Sequence, residues 1–219
     1  MKKDERNVVS EEKEKYINRK IEELKKQGIS SEEASNKARQ SYRSYIGKNV
    51  QANIMNYLKE QFKGTCIKIT SDEELKSTKI TEELSKIKRA IALDFGQYLF
   101  LPDADIVVYK SCESEPVVLA IISVKNSFRE RGYETAYWKK KLAESKITSH
   151  VKVFLATPDK DDEIAFIERK KGPRKSRIIL EYELDGIYFL DKEKFDGSAK
   201  VKEFSKIVDD ILNLSNKYK

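Results

Sequence analysis

The chain has 219 residues, 37% of them charged and 39% hydrophobic; this is long and apolar enough for one α/β domain with a small helical appendage and excludes a disordered chain. A net charge of +7 and a pI of about 9.1 suit a polyanionic partner such as nucleic acid, or equally a lysine-rich surface of the kind found in proteins from hot environments. Two widely separated cysteines, Cys66 and Cys112, and the lone His150 argue against a zinc cluster, a Ser-His-Asp triad and a disulfide scaffold, which favours a reducing cytosol.

Ser10, followed by Glu11 and Glu12, reads as the N-cap of a first helix. Ile17, Ile21 and Leu24 form its narrow apolar stripe, and Gly28 ends it. Ser30, with Glu33 three residues on, opens a second helix through a capping box. That helix runs through Ala34 and Ala38 towards Tyr45, exposing Lys37, Arg39 and Arg43, and Gly47 is placed to break it. A third helical stretch covers 48–62, with Val50, Ile54 and Leu58 on one face. Residues 66–69 read as a short strand, 72–92 return to helical spacing, and 98–109 are β-rich, interrupted by Pro102. After a turn over 111–116, residues 117–125 form a nearly continuous apolar run, as in a strand buried on both faces of a sheet. Helical spacing over 131–147 and a second buried strand over 151–156 follow, then a basic loop over 168–176. Ile178 to Tyr182 and Ile187 to Leu190 suggest a hairpin closed by Leu184-Asp185-Gly186, and a helix over 199–216 ends the chain. The expected organisation is a helical arm over 1–47 and an α/β core over 48–219. No apolar leader and no apolar run of roughly 18 residues occurs, so neither export nor a membrane span is expected.

The chemistry concentrates in Leu101-Pro102-Asp103-Ala104-Asp105 and in Ile121-Ile122-Ser123-Val124-Lys125. Side chains alternate faces along a strand, so Asp103 shares a face with Asp105, and Ser123 with Lys125. If the two strands form an antiparallel hairpin about the turn near 113, an aspartate lies across from Ser123 and within reach of Lys125. Carboxylates and an ammonium at the end of apolar strands are costly unless paired or bound to metal. Hard oxygen ligands of this kind suit Mg²⁺.

These residues resemble the PD-(D/E)XK nuclease superfamily, whose acid and lysine sit on a β-hairpin. Ser123 stands where that family usually has Asp or Glu, a departure similar to that of type II restriction endonucleases that cut CCGG-type sites. The resemblance covers roughly residues 41 to 140. It implies a central mixed β-sheet flanked by helices, with a helical N-terminal arm, and a Mg²⁺-dependent, sequence-specific endonuclease acting on double-stranded DNA as a homodimer in a prokaryotic cytoplasm. By it, Asp103, Asp105, Ser123 and Lys125 are the catalytic group, with Asp103, Asp105 and Val124 at the metal. The segment after Lys125 resembles the one that opens a helix in those enzymes, which makes Asn126, Ser127, Arg129 and Arg131 candidate DNA contacts and Glu134 a candidate replacement carboxylate. Gln51 stands where a Glu often does.

Arg43 and Lys48, interspersed with Tyr42 and Tyr45, and Arg174 in the basic loop are further candidate DNA contacts. Met55 is a candidate wedge into a base step, although a Met at helical spacing is usually core. Plainer alternatives stand beside each of these: solvated aspartates near a turn, a snorkelling strand-end lysine, and an exposed helix face. Two other functions compete with a restriction enzyme. One is a repair or junction-resolving nuclease of the same fold; the other is a catalytically inactive DNA-binding module, for which Ser123 is the strongest argument.

Overall fold

The computed structural model describes residues 3–112, 115–126, 132–168 and 172–218, with side chains from Glu12 onward. The chain forms two compact units, residues 1–52 and 53–219.

The first unit holds helix α1 (Lys3–Lys26) and the first part of helix α2 (Ser31–Gln61). Gly28, at φ +82°, makes the turn between them in a region costly for any side chain. Ala34 and Ala38 are fully buried, and the Tyr16 ring packs on Tyr42 and Tyr45 at 5.4 and 5.0 Å. Two expectations fail here. Helix α1 is already formed at Lys3, so Ser10 is an interior residue and not a cap. Gly47 does not break α2, because its backbone is ordinary helix and helical hydrogen bonding continues through it. Tyr42 and Tyr45, expected beside Arg43 on a DNA-facing surface, pack against Tyr16, and Tyr45 remains exposed.

The second unit is built on a six-stranded sheet in the order β1-β4-β5-β6-β7-β8. Its strands are β1 (Ile67–Ser71), β4 (Ile106–Lys110), β5 (Val117–Val124), β6 (Lys152–Thr157), β7 (Gly186–Phe189) and β8 (Val201–Glu203). The β1/β4 and β4/β5 pairs are antiparallel; β5, β6, β7 and β8 run parallel. The sheet is therefore mixed, as expected. Helix α5 (Gly132–Glu144) makes the β5–β6 crossover and α6 (Lys175–Glu183) the β6–β7 crossover, the helical connections that parallel neighbours require. The 117–125 run is β5, buried on both faces over most of its length. One face of the sheet, with Val107, Ile121, Val153, Leu155, Ile187 and Phe189, packs under α5, α6 and the short helices α3 (Asp72–Lys76) and α4 (Glu82–Ala90). On the other face, Phe154 packs edge-on against Tyr188, and α7 (Lys206–Ser215) lies against β5. Strands β2 (Leu93–Asp94) and β3 (Leu99–Phe100) form a separate small hairpin. Among the described residues, no helix is long and apolar enough to cross a membrane.

Three further expectations are corrected. Residues 178–182 belong to α6, not to a hairpin with 187–190: the stretch is β-branched and apolar, but Leu180 and Arg177 point into the core at helical spacing. Asp185-Gly186 is consequently not a hairpin turn. Gly186 opens β7, and a Cβ there would fall 2.8 Å from the Tyr188 hydroxyl, a close approach only glycine allows. The segment 201–203 is strand β8, so the last helix begins at Lys206. Finally, the cysteines do pair: Cys66 and Cys112, just outside the paired ends of β1 and β4, form a disulfide with a Cα–Cα distance of 5.1 Å. Antiparallel pairing brings together residues that lie 46 apart in sequence.

Candidate active site

Strand β4 begins at Ile106, opposite Ile122 of β5. Continuing that register by one residue sets Asp105 opposite Ser123, and the chain after Pro102 brings Asp103 to the same end. Lys125, the first residue beyond β5, donates from Nζ to Asp103 Oδ2 at 3.2 Å and to Asp105 Oδ2 at 3.4 Å. The Val124 amide donates to Asp105 Oδ2 at 2.6 Å and the Ser123 hydroxyl to the same oxygen at 3.4 Å. Behind them Thr135, on α5, donates to Ser123 Oγ at 3.1 Å, with both residues about 2% exposed. The structure thus brings Asp103, Asp105, Ser123, Val124 and Lys125 together, and adds Thr135, which the sequence pattern gave no reason to single out.

The electrostatics are unbalanced. Burial pushes the Asp105 carboxyl above the usual carboxylate range; Lys125 and the Val124 amide oppose the shift, but Asp103 adds to it. Burial alone would lower the Lys125 ammonium, yet Asp105, Asp103 and then Glu134 hold it above its ordinary value. Among the described residues the two carboxylates share one ammonium, Lys125, in a half-buried place. Such a place fits a hard divalent cation. The oxygens offered are those of Asp103 and Asp105 and the Val124 carbonyl, which is the only donor Val124 has, its amide being spent on Asp105. Among the described residues no group of three or more His, Cys, Asp or Glu side chains could hold a metal. Two carboxylates and a carbonyl are hard oxygen donors of the kind Mg²⁺ takes beside several waters.

The cluster opens onto a recess of about 570 Å³ lined by Asp103, Lys125, Glu134, Lys76, Lys88 and the aromatic edge of Phe100 and Trp138. Glu134, exposed on the first turn of α5, thus faces the same space as Asp103 and Lys125. Gln51, Arg43 and Lys48 are on the part of α2 that belongs to the first unit. Met55 is half-buried on α2 beside the core residues Ile54 and Leu58. Arg174 is paired with Glu163. Asn126 keeps its side-chain oxygen buried without a partner among the described residues. Ser127, Arg129 and Arg131 lie outside the described residues.

Solved structures that share this architecture are restriction endonucleases with DNA. The PspGI–substrate DNA complex superposes with a TM-score of 0.58 at 17% identity, covering 94% of this chain and 75% of that one. The pre-specific BsaWI–DNA complex superposes at 0.51 with 14% identity, covering 89% and 71%. The fold is the restriction-endonuclease fold. The family profile of BsaWI restriction endonuclease type 2 matches residues 83–210. A protein named as type II restriction enzyme MjaVIP of Methanocaldococcus jannaschii is 55% identical over 210 residues, 96% of this chain and 92% of its own. One named as type II restriction enzyme HpyAORF263P of Helicobacter pylori is 45% identical over 163 residues, 74% of this chain and 83% of its own. The chain belongs to the BsaWI family of type II restriction endonucleases.

Proposed function

We propose that this chain hydrolyses phosphodiester bonds of double-stranded DNA at a specific sequence, with Mg²⁺ held by Asp103, Asp105 and the Val124 carbonyl. The observation that carries this reading is the convergence of two carboxylates and Lys125 at one end of the β4–β5 pair, with Asp103 and Lys125 lining a recess that Lys76 and Lys88 also line. When bound, Mg²⁺ supplies polarisation of the phosphoryl oxygen and a more acidic water. Lys125, held between Asp103 and Asp105, neutralises charge that develops on the phosphoryl oxygens, and its fixed position spares reorganisation as the reaction proceeds. The water oxygen attacks phosphorus and gives up a proton, one P–O ester bond breaks, and the leaving oxygen takes up a proton. Ser123 and the Val124 amide hold Asp105 in place for this, and Glu134 faces the same recess as an additional carboxylate.

Arg43, Lys48, Arg129, Arg131, Ser127, Asn126 and Arg174 remain candidate DNA contacts. Cutting both strands of a palindromic site calls for two copies of the active site related by a twofold axis, so the working unit is a homodimer. The test is digestion of a long sequenced DNA with Mg²⁺ or with EDTA, followed by mapping of the fragment ends. Discrete ends at one repeated word, only with Mg²⁺, are expected; intact DNA in both arms overturns the reading.

A further inference from the structure

The β2–β3 hairpin stands at the rim of the recess that holds the catalytic cluster, apart from the main sheet. Leu93 pairs with Phe100 and Asp94 with Leu99. Its turn is fixed: Gly96 takes φ +76° and donates its amide to Asp94 Oδ1 at 2.8 Å, while the Phe95 amide donates to the Tyr98 carbonyl at 2.8 Å. Its base is fixed as well. The Phe100 ring stacks on Trp138 of α5 at 5.8 Å and meets Phe95 edge-on at 6.5 Å. The tip is a different matter. Tyr98 is 72% exposed and Leu99 77%, so a rigid backbone holds two apolar side chains out in water. Burial of such side chains is favoured over exposure, and a pre-shaped tip that forgoes it marks a contact surface.

The surroundings say what kind of partner fits. Leu99 and Phe100 line the same recess as Asp103 and Lys125, and Lys76 and Lys88 share that lining. Rings and an aliphatic tip beside ammonium groups match a partner with flat apolar faces and a string of negative charges, as bases and phosphates provide. We infer that the hairpin presses Tyr98 and Leu99 against the bases beside the scissile phosphate of a DNA duplex, while Lys88 takes a neighbouring phosphate; Lys76 is already paired with Asp72 at 2.7 Å. Apolar side chains used in this way prise a base step apart and let the duplex bend into the site. The inference rests on the DNA-cutting reading and assigns the hairpin a positioning role within it.

The test uses the full chain, wild type and the double variant Tyr98→Ser/Leu99→Ser, on a duplex oligonucleotide containing the mapped cleavage word. The variant removes only exposed side chains and is expected to melt at the wild-type temperature. Its KM is expected to rise about tenfold or more, with kcat at saturating duplex changed less than KM. Trp138, the sole tryptophan, lies under the hairpin and gives a second measurement: its emission is expected to change when duplex is added to the wild type and to change less in the variant. Wild-type KM and an unaltered Trp138 response in the variant overturn the inference while leaving the nuclease reading intact. So does a loss of affinity that sedimentation traces to dissociation of a dimer, because the tip would then serve a second copy of the chain. A wild type that cuts no DNA overturns the reading on which the inference stands.

Discussion

Asp105 and Asp185 are both carboxylates at the entrance to a strand, β4 and β7 respectively, and both are largely buried, yet their surroundings push them in opposite directions. Asp185 meets two ammonium groups, Lys139 at 2.5 Å and Lys152 at 3.0 Å, and accepts the Val153 amide at 2.9 Å. Burial works against its ionised form, but these partners outweigh burial and hold the carboxyl below the usual range. Among the described residues Asp105 pairs with Lys125, which also donates to Asp103, and burial holds the Asp105 carboxyl above that range. A satisfied carboxylate is structural. A carboxylate held above the usual range, in contact with the recess-lining Lys125, is the candidate for binding a cation. Among the described partners, the number of ammonium groups separates the two aspartates more clearly than burial does.

The largest expected effect falls on the unbalanced side. Lys125→Ala and Asp105→Asn are each expected to lower plasmid cleavage at saturating Mg²⁺ by about a thousandfold or more. Retained cleavage in either would erase the distinction drawn above. Asp185→Asn is expected to leave cleavage near wild type but to cost roughly 2–3 kcal/mol in a urea melt, since Lys139 and Lys152 lose their shared partner in a half-buried position. Its pH dependence has a definite sign. The folded carboxyl lies below its unfolded value, so the stability it contributes is present above the unfolded pKa of about 4 and is lost as pH falls through the folded one. The gap between wild type and Asp185→Asn is therefore expected to close in strong acid. Thr135→Val removes the hydroxyl behind Ser123 while keeping its shape, and is expected to raise the Mg²⁺ concentration for half-maximal cleavage about tenfold with little change in melting. The smallest effect is the most diagnostic. Asp105 has a folded pKa above the unfolded one, so its contribution is favourable below the unfolded pKa and is lost as pH rises through the folded one. Metal-free Asp105→Asn is thus expected to melt slightly higher than metal-free wild type at neutral pH; a lower melting point would mean that Asp105 is as well compensated as Asp185.

The meeting of Asp103 and Asp105 with Ser123 and Lys125 was legible in outline: an apolar run marks a central strand, and an antiparallel partner brings the start of one strand to the end of the other, although Asp103 and Asp105 precede β4 and Lys125 follows β5. What escaped needed contacts between elements. Thr135 matters only because the β5–α5 crossover lays the first turns of α5 over the end of β5, and no spacing announces that. The run Ile178 to Tyr182 looks like a strand because it is β-branched and precedes Asp-Gly; burial of Arg177, whose guanidinium reaches the Ile164 carbonyl and Glu181, is what makes it one side of a helix. Tyr98 and Leu99 read as ordinary β residues, since a sequence does not say that a hairpin will stand clear of the sheet. The disulfide was missed because its halves meet only through the β1–β4 register.

That disulfide has a practical corollary. The chain contains two cysteines and both are consumed in it, so the oxidised protein offers no thiol to a maleimide or a spin label. A single cysteine introduced as Tyr98→Cys would therefore be the only attachment point, provided mild, non-reducing conditions are kept. Distance changes between a probe there and a dye on DNA would then follow the hairpin tip alone, against a background that is silent by construction.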